Sequence, residues 1–192
     1  VLRQYALLAD GERGAVVGPR GDIVWMCVPR WDSDAVFTAL IGGAGQYSVT
    51  PTGRYVWGGY YEDRSLIWRS RWVTEDGIVE CCEALAFPGD ARRAVLLRRI
   101  HAIERATSSA VCFEPRAGYG EHELTDLHRH HGMWTSRSGT LNVRWSGGDA
   151  ARPRRDTKAL QTVLRLDAGE HHDLVRELSE DPLPEHPVDP DA

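Results

Sequence analysis

At 192 residues, with 42% hydrophobic and 27% charged content, the chain is long enough for one domain with a substantial buried core. Its formal charge of -5, set against 22 arginines and a single lysine, Lys158, speaks against a nucleic-acid surface, which needs a net basic face. No apolar run approaches the ~20 residues that a membrane-spanning helix requires.

The first predicted elements lie between Tyr5 and Phe37, where two short apolar runs flank a tight turn. Gly18-Pro19-Arg20-Gly21 places proline second and glycine fourth, which suits a type I turn between two strands. The run Ile23 to Val28 is apolar on both alternating faces, the pattern of a strand buried on both sides. Pro29 ends it, because proline has no amide hydrogen for a ladder. Arg30, Trp31 and Asp32 stand at that stop: a guanidinium, an indole and a carboxylate on a loop fixed by a rigid strand. They either pair locally as a packed corner or present a binding edge. A short helix is expected next, capped by Asp32 or Ser33, with Phe37, Leu40 and Ile41 at helical spacing and Gly42 as the left-handed stop.

Tyr55, Trp57, Tyr60 and Tyr61 form the densest aromatic group. Leu66, Trp68, Ser70 and Trp72 then share one strand face, with Arg69 and Arg71 on the other. Asp76-Gly77 turns this strand into Ile78 to Glu83 as a hairpin. Ala94 to Ile103 and Ser109 to Glu114 read as paired strands, and Thr140 to Ser146 as another strand. Trp145 to Lys158, rich in glycine, proline and charge, reads as a mobile loop. Leu160 to Leu166 and Asp173 to Leu178 read as a closing hairpin around Asp167-Ala168-Gly169-Glu170. Residues 1–181 make one domain, and the proline-rich, acidic stretch 182–192 an extended linker. Many strands and almost no helix define an all-β chain, a sandwich or a barrel.

Few residue groups carry chemistry. Cys27, Cys81, Cys82 and Cys112 contain no C-x-x-C spacing and read as reduced thiols of a cytoplasmic protein. His128 and His130 would share a strand face, near His122 and His131, but no matching ligand lies elsewhere, so no metal or other cofactor is expected. An indole face can stack on a pyranose, and Trp31 and Trp57, each beside a predicted loop, are the exposed candidates for sugar stacking. Trp25, Trp68 and Trp72 are assigned to the core. No pair of carboxylates is placed for acid–base work, and no nucleophile elbow, phosphate loop or HExxH helix occurs, so no catalytic residue is assigned.

The segment YALLADGERGAVVGPRGDIVWMCVPRWDSDAVF resembles the opening of glycoside hydrolase family 15 proteins, the glucoamylase and trehalase-like group. Tyr5, Leu7, Asp10, Ala15, Val16, Gly21, Ile23, Trp25, Cys27, Pro29, Arg30, Asp32, Ser33 and Phe37 fit that family's pattern in register. Ala9, Val24, Met26, Trp31 and Asp34 depart from it, and Val24 replaces an aspartate with an apolar residue. Weaker likeness runs through 61–82, 96–120 and 182–192. The resemblance implies a two-sheet antiparallel supersandwich that precedes an (α/α)6 catalytic barrel, itself outside these residues and carrying two glutamates. It therefore implies a non-catalytic N-terminal domain of an inverting α-glucoside hydrolase. Its partners would be its own catalytic domain and the substrate, with no nucleic acid or membrane. An uncovered docking patch would favour homo-oligomers. The alternatives are a stand-alone carbohydrate-binding sandwich, or a sugar-epimerase-like enzyme using His101 and Glu114. The opening at Val1 fits a trimmed or partial chain.

Overall fold

The computed structural model describes residues 4–191. Two eight-stranded antiparallel sheets face one another. With strands numbered in chain order, the first sheet holds β1 (Ala6–Ala9), β2 (Gly14–Val17), β3 (Asp22–Cys27), β4 (Ala35–Phe37), β5 (Gln46–Pro51), β10 (Thr107–Glu114), β14 (Arg152–Pro153) and β15 (Leu160–Leu166). Their order is β1-β2-β3-β5-β10-β15-β14, with β4 paired to β3. The second holds β6 (Tyr55–Tyr61), β7 (Trp68–Thr74), β8 (Ile78–Leu85), β9 (Arg93–Ala102), β11 (Leu124–His130), β12 (Met133–Ser138), β13 (Leu141–Ser146) and β16 (His171–Ser179), in the order β11-β12-β13-β16-β9-β8-β7-β6. The expected all-β, two-sheet antiparallel sandwich is what the chain forms.

Local chemistry explains much of the pairing. The β2–β3 turn closes with Gly21 N–H donating to the Gly18 carbonyl at 3.0 Å. Gly21 has φ +67, and a Cβ there would lie 2.1 Å from the Val49 carbonyl oxygen, so both conformation and space demand glycine. The β7–β8 hairpin closes through Thr74 N–H to the Gly77 carbonyl at 2.9 Å. Along β7, Trp68, Ser70 and Trp72 are buried while Arg69 and Arg71 are partly exposed, as their alternation predicts. Strand β1 would leave an open edge. The Tyr61 hydroxyl closes it, accepting from Leu7 N–H at 2.7 Å and donating to the Leu7 carbonyl at 3.1 Å.

Five expectations are corrected. No helix follows Ser33: residues 35–37 form β4, whose Val36 and Phe37 are fully buried against β3. What remains is a single 3-10 turn, Ala39–Ile41, preceded by Thr38 without a side-chain cap and ended by left-handed Gly42. Strands β9 and β10 do not pair; β9 lies between β16 and β8, and β10 between β5 and β15 in the other sheet. The closing hairpin is likewise absent, since β15 and β16 belong to different sheets. In both cases the four-residue connector carries the chain from one sheet to the other. Nor is Trp25 in the core. A bulge between Val16 and Val17 turns its ring to the outer face, 6.4 Å from the ring of Tyr119. Finally, the stretch 145–158 is partly ordered, with β14 pairing to β15 and Ala151 fully buried.

Residues 182–191 run as an extended segment over the outer face of the second sheet. Arg144 ties it down, donating to the Pro184 carbonyl at 2.6 Å and the His186 carbonyl at 3.0 Å. Although Arg144 points outward from β13, this cover leaves it only 5% exposed. Arg99 holds the far end through Asp191 at 2.5 Å.

The interior is mainly apolar, with Tyr47, Val49, Val111 and Phe113 facing Trp72, Leu96, Ile100 and Trp145. It also carries charge. Glu83 and Arg98, both buried, form an ion pair at 2.8 Å. Ser70 Oγ donates to the same carboxylate at 2.9 Å, and Trp68 Nε1 donates to Ser70 at 3.0 Å.

Candidate functional site

The candidate site is the loop that follows β3. Its backbone is fixed at several points: Val28 N–H donates to the Asp34 carbonyl at 3.3 Å, Trp31 N–H to Glu12 at 3.2 Å and Ser33 N–H to Arg30 at 3.2 Å. Ser33 Oγ also accepts from Arg30 N–H at 3.1 Å. Arg30 and Asp32 engage one another fork to fork, Nε to Oδ1 at 3.2 Å and Nη2 to Oδ2 at 3.0 Å. These hydrogen bonds hold the Asp32 carboxyl below its ordinary value and raise the Arg30 guanidinium. Both side chains are mostly in water, so the pair is weak and exchanges readily for another partner. Asp32 caps no helix.

Trp31 packs against a glycine. A Cβ on Gly14 would sit 2.1 Å from the tip of its ring and 3.0 Å from Leu7, so Gly14 is what allows the indole to approach β2 this closely. The side chain otherwise stays largely in water, with Trp31 53% exposed. Trp57 is placed differently. It sits on β6 rather than in a loop, half-buried and packed against the core, with its ring centroid 6.4 Å from that of Trp68. Its indole N–H is buried without a partner. Alternation along β6 turns Tyr55 and Trp57 inward, which removes the open face that a stacking platform needs.

Beside the loop lies a polar cleft of about 310 Å³, lined by Ser33, Asp34, Gly118, His122, Thr140 and Glu180 among others. Its far wall is α1 (Ala117–Gly120), a tight turn more than a helix, in which Gly118, Tyr119 and Gly120 all have positive φ. Tyr119, in that strained position, is 54% exposed. Sequence reasoning missed this wall; the Gly-Tyr-Gly run was the available signal. A larger cleft of about 520 Å³ lies under the terminal segment, lined by Leu66, Phe87, Leu97 and Val188 among others. It is mainly apolar, with Arg64, Ser65 and Asp189 as its polar groups.

The remaining candidates do not assemble. His101 lies on the outer face of the second sheet and Glu114 on the outer face of the first, so the two cannot share a pocket. Glu114 is instead bound to Arg116 at 2.8 Å. The rings of His130 and His131 stack at 3.8 Å, and among the described residues no group of His, Cys, Asp and Glu is arranged to hold a metal. Among these residues, too, no helix is long and apolar enough to cross a membrane. All four cysteines are free, with Cys27, Cys81 and Cys112 buried.

The family described as trehalase-like, N-terminal, matches residues 1–148. The chain belongs to that family. This trehalase-like N-terminal domain is 36% identical over 86 residues to a trehalase of Mycobacterium tuberculosis. It is 35% identical over 86 residues to a trehalase of Mycolicibacterium smegmatis. Each alignment covers 44% of this chain and 13% of the relative, so the likeness spans a small part of either enzyme. The trehalase-like segment takes in every strand through β13, the loop at Arg30 and the wall at Tyr119.

Proposed function

We propose that this chain is the non-catalytic N-terminal domain of an inverting α-glucoside hydrolase of the glucoamylase and trehalase kind. It packs against a catalytic barrel, with Arg30, Trp31 and Asp32 at the border of the substrate pocket. The observation that carries this reading is the trehalase-like N-terminal match over 1–148, together with trehalases as relatives. An inverting hydrolase needs two carboxyls on opposite sides of the sugar, which the family resemblance places in the barrel. The β3 loop suits a bordering role because its backbone is fixed while its guanidinium fork and indole stay open to water. Four unpaired cysteines fit a reducing, cytoplasmic compartment.

The test has two parts. The chain alone should release no glucose from trehalose, maltose or maltotriose. Arg30→Ala in the whole enzyme should lower kcat/KM while leaving the melting temperature in place. Glucose release by the chain would overturn the reading, as would intact kinetics with a large loss of stability.

A second reading, a stand-alone carbohydrate-binding sandwich, is favoured by the exposed Trp31 indole beside Gly14. Calorimetry separates the two. Saturable binding of trehalose to the chain alone, abolished in Trp31→Ala, supports the binding module; no heat supports the accessory domain.

A further inference from the structure

We propose that the interior of this sandwich binds a small monovalent anion, of halide size, on the Nε/Nη2 edge of Arg176. Elsewhere in the molecule that edge commonly grips a carboxylate. Arg30, Arg99, Arg144 and Arg154 each direct Nε and Nη2 at the two oxygens of one carboxylate: Asp32, Asp173, Glu177 and Asp156. Nε of Arg13, Arg93 and Arg98 lacks a hydrogen-bond partner, but each of those side chains has a carboxylate within 3.5 Å, namely Asp10, Glu177 and Glu83. Arg176 is 0% exposed, and its Nε and Nη2 have no partner. Only Nη1 is used, reaching the Val175 carbonyl at 3.3 Å and the Ser146 carbonyl at 3.5 Å. A guanidinium offers its strongest and most directional bonding along the unused edge.

The surroundings say what kind of group belongs there. Aromatic rings cover the guanidinium, with its central carbon 3.7 Å from the Trp145 ring, 4.5 Å from Tyr47 and 4.7 Å from Phe113. These contacts favour a cation but supply no hydrogen-bond acceptor to Nε or Nη2. Ionisable groups acting on Arg176 are Tyr47 and Arg98, and Arg98 carries the same charge. The interior carboxylate, Glu83, is taken by Arg98 at 2.8 Å and by Ser70. No carboxylate is therefore among the charges acting on Arg176. Burial lowers Arg176 to about 9, so it stays protonated at neutral pH.

Two further unpartnered groups on the enclosing rings can also donate. Trp145 Nε1 and the Tyr47 hydroxyl are buried without partners on the rings that enclose Arg176. A surplus of buried donors beside a surplus positive charge calls for an acceptor that is itself negative. Full burial among three aromatic rings suits a monatomic anion better than a bulky one.

The experiment is thermal unfolding of the protein at constant ionic strength, with chloride or bromide exchanged for gluconate. Each tenfold rise in halide above its Kd should raise the melting temperature by about 3–5 °C. Arg176→Met should abolish that dependence. Equal responses in both proteins, or none in either, would overturn the proposal and leave the edge solvated by water alone. If Arg176→Met does not fold, a bromide-soaked crystal of the unaltered protein decides. An anomalous peak within hydrogen-bonding reach of Nε and Nη2 supports the site, and no peak there refutes it.

Discussion

Replacing Glu83 by glutamine tests how the charged interior is held. Glu83 is fully buried, and its carboxylate is the counter-charge to Arg98 at 2.8 Å while accepting from Ser70 at 2.9 Å. The glutamine keeps the shape and one acceptor but leaves a guanidinium without its charge partner. Breaking a buried pair by removing one member costs about 3–5 kcal/mol. For a chain of this size each kcal/mol moves the melting temperature by roughly 2–4 °C, so Glu83→Gln should melt about 6–20 °C lower. The same loss should not follow when both partners go. Glu83→Leu with Arg98→Met removes both desolvation penalties and should recover most of the stability, as buried pairs exchanged for apolar residues commonly do. Calorimetric unfolding of Glu83→Leu, Arg98→Met, their combination and the unaltered protein forms a complete cycle. A Glu83→Gln protein melting within about 2 °C of wild type would refute the reasoning. So would a double variant whose losses simply add.

Gly14→Ala should push Trp31 away from β2 and change its fluorescence, since the added Cβ would meet the ring at 2.1 Å; the change should vanish in a Trp31→Phe background, and persistence there would refute the contact. Cys81 should resist thiol reagents until the protein unfolds, because burial raises its thiol well above 9 and it is fully enclosed. Rapid labelling of Cys81 in the native state would contradict the packing. Asp191, held below its ordinary 3.8 by hydrogen bonding to Arg99, has a contact that is complete above that value and is lost as pH falls through the lowered one. Carboxyl-carbon NMR should therefore show Asp191 titrating below 3.8, and titration at or above it would mean that the strap is not engaged.

The strands were legible where alternation is strong, and their partners were not. Trp68, Ser70 and Trp72 alternate with arginines, and Asp76-Gly77 supplies a turn whose geometry leaves one pairing available, so β7 and β8 read correctly. The connectors 103–106 and 167–170 look the same in kind: short, polar, one containing glycine. Yet each leads from one sheet to the other, and Gly169 N–H donates to the Ala102 carbonyl at 2.7 Å, so the second connector packs against the end of β9. A hairpin loop and an inter-sheet crossing have the same local chemistry. What separates them is which partner strand buries the apolar face, and that is a long-range property.

The interior charge, by contrast, had a local signal. Ala94, Leu96, Ile100 and Ala102 share the inward parity of β9, and Arg98 has that parity while Arg99 does not. Arg176 falls between Leu174 and Leu178 in the same way, and Glu83 between Cys81 and Leu85. Three ionisable residues on apolar faces could therefore be recognised from the strand period alone. Their mutual arrangement could not, because it depends on register: Arg98 stands opposite Glu83, whereas Arg176 stands opposite Leu96 and so gains no carboxylate. A shift of two residues in the β16–β9 register would bring Arg176 opposite Arg98 or Ala94 instead. The residue across the ladder, invisible in either strand by itself, is why one buried arginine is neutralised within the chain, and no inward residue of β9 near Arg176 could do the same for the other.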